Sequence, residues 1–214
     1  MISMLTRELN CYFKSFKEII VISMLFLSIT LVAPFTFSAQ AGLPDGVAGA
    51  MLWVALLCAV QMGASQSWQR HAESGELELL PLLPWMLEST VMAKSLAFYL
   101  VLMLQLAIIL PVAGLWLGLS SGQWGQVLLG LAAGGLGLTF LCQMAAGLMA
   151  GYRKTGALMG LIVLPFALPI LIFGAGYTAQ SELWSEHLVF MVSYAIFLWP
   201  LHCFAVAASL RNGH

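Results

Sequence analysis

The chain has 214 residues, 61% of them hydrophobic and 8% charged, with a formal net charge of −1; its mean hydropathy is +0.96. Soluble domains average roughly 45–50% apolar and about 25% charged residues, and the eight basic and nine acidic side chains present here are too few to cover a folded surface. The composition excludes an ordinary soluble enzyme, a disordered tail and a nucleic-acid binder, which needs a basic face, and points to a polytopic membrane protein.

In chain order, residues 1–18 come first. Leu5, Leu9, Tyr12, Phe13 and Phe16 recur at helical spacing, while Arg7, Glu8, Asn10, Lys14 and Lys17 fill most of the remaining surface. This pattern predicts an amphipathic helix lying in the membrane interface. Ser38-Ala-Gln-Ala41 offers an A-x-A-like cleavage site, but the apolar run before it exceeds the roughly 7–15 residues of a signal h-region, so an uncleaved segment is expected.

A bilayer core about 30 Å thick takes about 20 apolar helical residues. Six stretches qualify: residues 19–39, 49–68, 95–118, 125–150, 156–178 and 188–209. With six spans, all eight cations fall on one side: Arg7, Lys14 and Lys17 before the first, Arg70 and Lys94 between the second and third, Arg153 and Lys154 between the fourth and fifth, and Arg211 after the sixth. The opposite loops carry Asp45, Glu182 and Glu186. Cationic loops stay cytoplasmic, so both termini are expected inside. The chain divides into residues 1–18 and a six-span domain over 19–214, with a cytoplasmic connector at 69–94.

That connector reads Glu73-Ser-Gly-Glu-Leu-Glu-Leu-Leu-Pro-Leu-Leu-Pro84. Ser74 suits a helix N-cap, Glu76 and Glu78 suit a first turn facing the helix dipole, and Pro81 and Pro84 end or kink the helix. Leu77, Leu79, Leu80, Leu82 and Leu83 are too many to leave in water. They predict either a re-entrant packing loop or a docking element for a cytoplasmic subunit, with Glu73, Glu76, Leu77, Glu78, Leu79, Leu80 and Pro84 as its candidate contacts.

Gly130/Gly134, Gly147/Gly151 and Gly156/Gly160 have the spacing that lets membrane helices approach closely, a weak pointer to a homomeric seam. Pro165 and Pro169, in a run ending at Gly174, are expected to break the fifth span, as a packing kink or as a hinge. Trp53, Trp68, Trp85, Trp124, Trp184 and Trp199 mostly sit near span ends, as an aromatic belt would.

Catalytic motifs fail one by one. No G-x-x-x-x-G-K-[ST] occurs, so the chain has no P-loop. Leu119-Ser-Ser-Gly-Gln123 resembles an ABC ATPase signature without a nucleotide fold around it. Gly63-Ala-Ser65 resembles part of an intramembrane protease motif but is followed by Gln66. His187 beside Trp184 and His202 deep in the sixth span lack the paired arrangement of a haem site. Cys11, Cys58, Cys142 and Cys203 have no metal or redox spacing and read as small packed hydrophobes. The spans have no chain of ionisable groups of the kind that marks ion-coupled transport, so any energy must come from outside the chain.

Six spans, a leading amphipathic helix and an acidic G-E-L-E-L-L-x-L-L-P loop together resemble an ABC-2-type permease. Trp53-Val-Ala-Leu-Leu57, Ser74-Gly-Glu-Leu-Glu-Leu-Leu80 with Pro84, and Gly156 through Gly174 with its V-L-P-x-x-x-P-I-L-I-F-G core resemble, more narrowly, the CcmB family, the membrane subunits of the cytochrome c maturation ABC transporter. The resemblance implies an all-α permease with a coupling helix between spans two and three. It implies a non-catalytic subunit of a bacterial inner-membrane complex that binds no cofactor itself. The implied partners are a cytoplasmic ATPase carrying ATP and Mg, a second copy of the chain, a haem-handling membrane subunit, a small membrane helix subunit and membrane lipids; nucleic acid is not among them. ATP hydrolysis would drive haem delivery or release of a haem-loaded periplasmic chaperone. Two alternatives share the topology: an ABC-2-type permease exporting a lipid, glycan or drug, and a non-transport membrane scaffold.

Overall fold

The computed structural model describes residues 2–14, 16–36, 46–75, 87–119, 123–150, 156–179 and 184–211. Every regular element among them is helical: α1 (Ile2–Lys14), α2 (Phe16–Thr36), α3 (Val47–Glu73), α4 (Leu87–Trp116), α5 (Trp124–Leu148), α6 (Gly156–Ala179) and α7 (Trp184–Arg211). Five of them are long and apolar enough to cross a membrane: α3, α4, α5, α6 over Met159–Ala179, and α7; α2 adds a shorter apolar stretch, Ile19–Val32. The predicted first span falls on α2 and the other five on these long helices.

α5 is the axis of the bundle and packs against α3, α4, α6 and α7. Three of its glycines sit in close contacts inside the chain. A Cβ at Gly130 would overlap the Tyr177 ring, one at Gly134 the Trp53 indole, and one at Gly147 would fall 2.8 Å from Val206. The spacing that pointed weakly to a homomeric seam therefore serves intramolecular packing at Gly130, Gly134 and Gly147; Gly151 lies outside the described residues. Trp53 is gripped from the other side by Gly174 of α6. Trp53 and Trp68 are each 1% exposed, so neither belongs to an aromatic belt, because glycines give their indoles a slot in the core. Trp184 and Trp199 are exposed.

Three further expectations change. α3 runs to Glu73 and α4 starts at Leu87, so the connector expected over 69–94 is helical at both ends. Helices of 27 and 30 residues outrun the roughly 20 that a bilayer needs, and their extra turns carry the polar residues. Ser74 is the C-cap of α3, not the N-cap of a following helix: its N–H donates to the Arg70 carbonyl at 3.0 Å, the Gly75 N–H donates to the Ala72 carbonyl at 3.3 Å, and the Ser74 hydroxyl donates to His71 O at 3.2 Å. Gly75, at φ +72°, closes the helix in the left-handed region that only glycine enters cheaply. α6 is also continuous through Pro165 and Pro169, so the prolines do not break it. Pro169 removes the donor that the Pro165 carbonyl would have used, and the Tyr194 hydroxyl of α7 donates to the adjacent Phe166 carbonyl at 3.0 Å. A neighbouring side chain thus supports the backbone next to the proline, as apolar surroundings require.

Candidate functional site

The charged end of the bundle is built from α1, the last turns of α3, the first turns of α4 and the end of α7. α1 carries the predicted amphipathic face: Tyr12 is buried, Leu5 and Leu9 pack on the core, and Arg7, Asn10 and Cys11 are exposed. That face lies chiefly against α4, not only against an interface. Glu8, assigned to the polar surface from sequence, is 5% exposed. It accepts from Arg7 at 3.2 Å and lines a small cavity with His71 and Trp68 of α3, Lys94 and Leu87 of α4, and Leu210 of α7. Packing of α1 on α4 turns the Glu8 position inward.

Lys94, expected in the loop, is 3% exposed. Its ammonium donates to the Ser67 carbonyl at 3.4 Å and lies 2.9 Å from His71 Nδ1 and 3.2 Å from Nε2. It also stands 5.0 Å over the Trp68 ring, a cation–π arrangement. Trp68 donates its indole N–H to Gln143 of α5 at 2.6 Å. Tyr12 and Ser67 hydroxyls meet at 2.7 Å, and the Arg70 guanidinium stacks 5.6 Å over the Tyr12 ring. On the far side Arg211 donates to Glu88 at 2.8 Å. These contacts tie α1, α3, α4, α5 and α7 together at the two stems of segment 76–86.

Of the predicted docking residues, Glu73 is exposed on the last turn of α3. Glu76, Leu77, Glu78, Leu79, Leu80 and Pro84 lie outside the described residues, as do the other connector leucines. On α6, Pro165 is exposed, Pro169 half-buried and Gly174 buried. His187 is half-buried against Phe173, edge-on at 5.6 Å. The polar knot around Lys94 was missed, although its signal was present. Leu87, Thr90, Val91, Lys94, Ala97, Phe98 and Val101 recur at helical spacing, so extending the α4 period backward puts Lys94 on the buried face.

Two further features lie within the bundle. His202 has its Nε2 3.0 Å from the Ser95 hydroxyl and stacks on Phe140 at 5.5 Å. Along α3, Cys58, Gln61, Met62, Ser65 and Gln66 share one face and, with Met159 of α6, line a groove of about 400 Å³. No group of three His, Cys, Asp or Glu side chains is placed to hold a metal among the described residues.

The arrangement is a membrane bundle whose charged end frames an acidic, leucine-rich segment, and it matches a known family end to end: the CcmB protein family profile covers residues 1–213. The chain belongs to the CcmB family. Its relatives include heme exporter protein B of Paracoccus denitrificans, 33% identical over 189 residues that make up 87% of each chain. The Pseudomonas aeruginosa protein of the same name is 30% identical over 212 residues, 97% of this chain and 95% of the relative. That of Haemophilus influenzae is 28% identical over 213 residues, 98% and 96% of the two chains. CcmB membership agrees with the multi-pass helical architecture, and the long apolar helices make this a membrane protein.

Proposed function

We propose that this chain is the membrane permease subunit of an ABC transporter complex in cytochrome c biogenesis. In this reading a separate cytoplasmic ATPase binds segment 73–84, and its ATP hydrolysis drives haem delivery or release of a haem-loaded periplasmic chaperone. The observation that carries the reading is the CcmB match over residues 1–213. The relatives' name, heme exporter protein B, supports haem as the group handled by the complex. The one-sided cations support six spans with both termini cytoplasmic, in a bacterial inner membrane. The chain hydrolyses no ATP itself and holds no haem; ATP and Mg belong to the ATPase. Pro165 and Pro169, with Gly174 against Trp53, serve as a hinge or as a packing point of α6. A second copy of the chain completes the permease, and the groove beside Gln61 and Gln66 supports this, because polar side chains on a membrane helix face protein or water and not lipid. A haem-handling membrane subunit and a small membrane helix subunit join them.

The test is replacement. Expressed in an Escherichia coli strain lacking its own heme exporter protein B, the chain should restore haem-staining c-type cytochromes, and an affinity tag on it should bring down the ATPase subunit. Restored ATPase capture with no cytochrome c would point to an ABC-2-type permease for another substrate. Neither result would leave the scaffold reading.

A further inference from the structure

His202, Cys203 and Met92 bring three soft or borderline donors together where α4 meets α7. The Cys203 sulfur lies 3.7 Å from Nδ1 of His202 and 3.9 Å from the Met92 sulfur. We propose that these three side chains form a binding site for a monovalent soft metal ion, Cu(I). This site is separate from the docking segment and independent of the function proposed above.

Geometry carries the proposal. Bonds of about 2.3 Å to sulfur and about 2.0 Å to nitrogen set the ligands of a planar three-coordinate ion about 4.0 Å apart for two sulfurs and about 3.7 Å for sulfur and nitrogen. The Cys203 sulfur already stands at these separations from the Met92 sulfur and from Nδ1 of His202. The histidine is also oriented for the task. The Ser95 hydroxyl has one hydrogen, and it donates to the Val91 carbonyl at 3.0 Å. Ser95 must then accept from Nε2–H of His202, which leaves the Nδ1 lone pair aimed at the Cys203 sulfur. A ligating histidine held through its other ring nitrogen is the usual arrangement around a protein-bound metal. Phe140, stacked on the imidazole, fixes the ring plane.

Charge selects the ion. His202 is fully buried and Cys203 is 6% exposed. On binding, the Cys203 thiol gives its proton to solvent and the thiolate takes the ion; His202 and Met92 are neutral. A monovalent ion leaves the assembly with no net charge, whereas a divalent ion leaves +1 inside an apolar bundle, which is costly. Thiolate and thioether together favour Cu(I) over harder metals. Entry is from the charged end, since Met92 is half-buried one turn beyond Glu88.

The full chain in detergent, kept anaerobic and reduced, is titrated with Cu(I) against a chromophoric chelator, and bound copper is examined by X-ray absorption. One tightly held ion per chain is expected, with two sulfurs and one nitrogen around it. Cys203→Ser should abolish that site, and Ser95→Ala, which frees the imidazole to rotate, should weaken it roughly 10–100-fold. Met92→Leu should remove one sulfur from the absorption signal, and the combined C11S/C58S/C142S variant should bind as the parent does. If Cys203→Ser folds poorly, Met92→Leu and Ser95→Ala still read the site. Unchanged binding in Cys203→Ser, loss of binding in the C11S/C58S/C142S variant, or equal affinity for Zn²⁺ each overturns the proposal.

Discussion

The Lys94 ammonium lies 3.2 Å from Nε2 of His71, whose Nδ1–H donates to the Ser67 carbonyl at 2.8 Å, and this contact joins the last turns of α3 to the first turns of α4. Both residues flank segment 76–86, so the contact sets the separation of its stems. A buried ammonium that loses an acceptor keeps its desolvation cost and gains nothing in return.

His71→Ala should therefore lower the stability of the purified chain by about 1.5–3 kcal/mol, the range for a hydrogen bond to a charged group. His71→Gln, which retains an acceptor, should cost less. Thermal unfolding in detergent measures both, and an unaltered midpoint for His71→Ala would show that the other contacts of Lys94, the Ser67 carbonyl and the Trp68 ring among them, suffice to hold it.

Trp53 sits in a slot whose walls are Gly134 and Gly174. Gly174→Ala places a methyl group against the indole and should cost about 1–3 kcal/mol by overpacking. Trp53→Phe shortens the ring on that side. The two changes share one space, so the double variant should be more stable than the sum of the single losses predicts. Strict additivity in unfolding measurements would mean that the indole and the glycine do not press on each other.

The legible part of this molecule was its apolar mass. Runs of about 20 apolar residues located the helices, because burying backbone polar groups in hydrocarbon leaves little choice but helix. The ends were less legible, since a helix does not stop where its apolar run stops: α3 continues through Gln69, Arg70 and His71, and α4 begins before Lys94. Glu8 and Lys94 read as surface because charge alone was scored, yet both lie on the inward face of their helices. Trp53 read as a belt residue because its slot is made by glycines more than 80 residues away, and no local pattern reveals such a match. The segment assigned to docking lies almost wholly outside the described residues, so its role is read from sequence alone.

Six spans with both termini cytoplasmic give a direct topology test. Reporter domains fused after Asp45, Gln123 and Glu182 should be active on the outer side, and one fused after Lys154 on the inner side. An outer-side signal after Lys154 would remove the one-sided placement of the cations and the topology with it.

The docking assignment makes the sharpest demand. Leu77, Leu79 and Leu80 follow Gly75, whose φ of +72° closes α3, and the stems are pinned by His71 with Lys94 and by Glu88 with Arg211. Burying two or three leucines against a partner is worth roughly 1.5–3 kcal/mol each, enough for a stable contact after the costs of association. Leu79→Asp or Leu80→Asp should release the ATPase subunit from membranes while the chain still inserts. Charge reversal at Glu76 or Glu78 should weaken capture less, because rim charges contribute less than buried anchors. Co-purification of the ATPase with each variant, alongside haem staining of c-type cytochromes, separates the cases. Leucine variants that retain both the ATPase and normal cytochromes would reassign the segment as packing against α4, and its acidic residues would then serve only to keep it at the membrane surface.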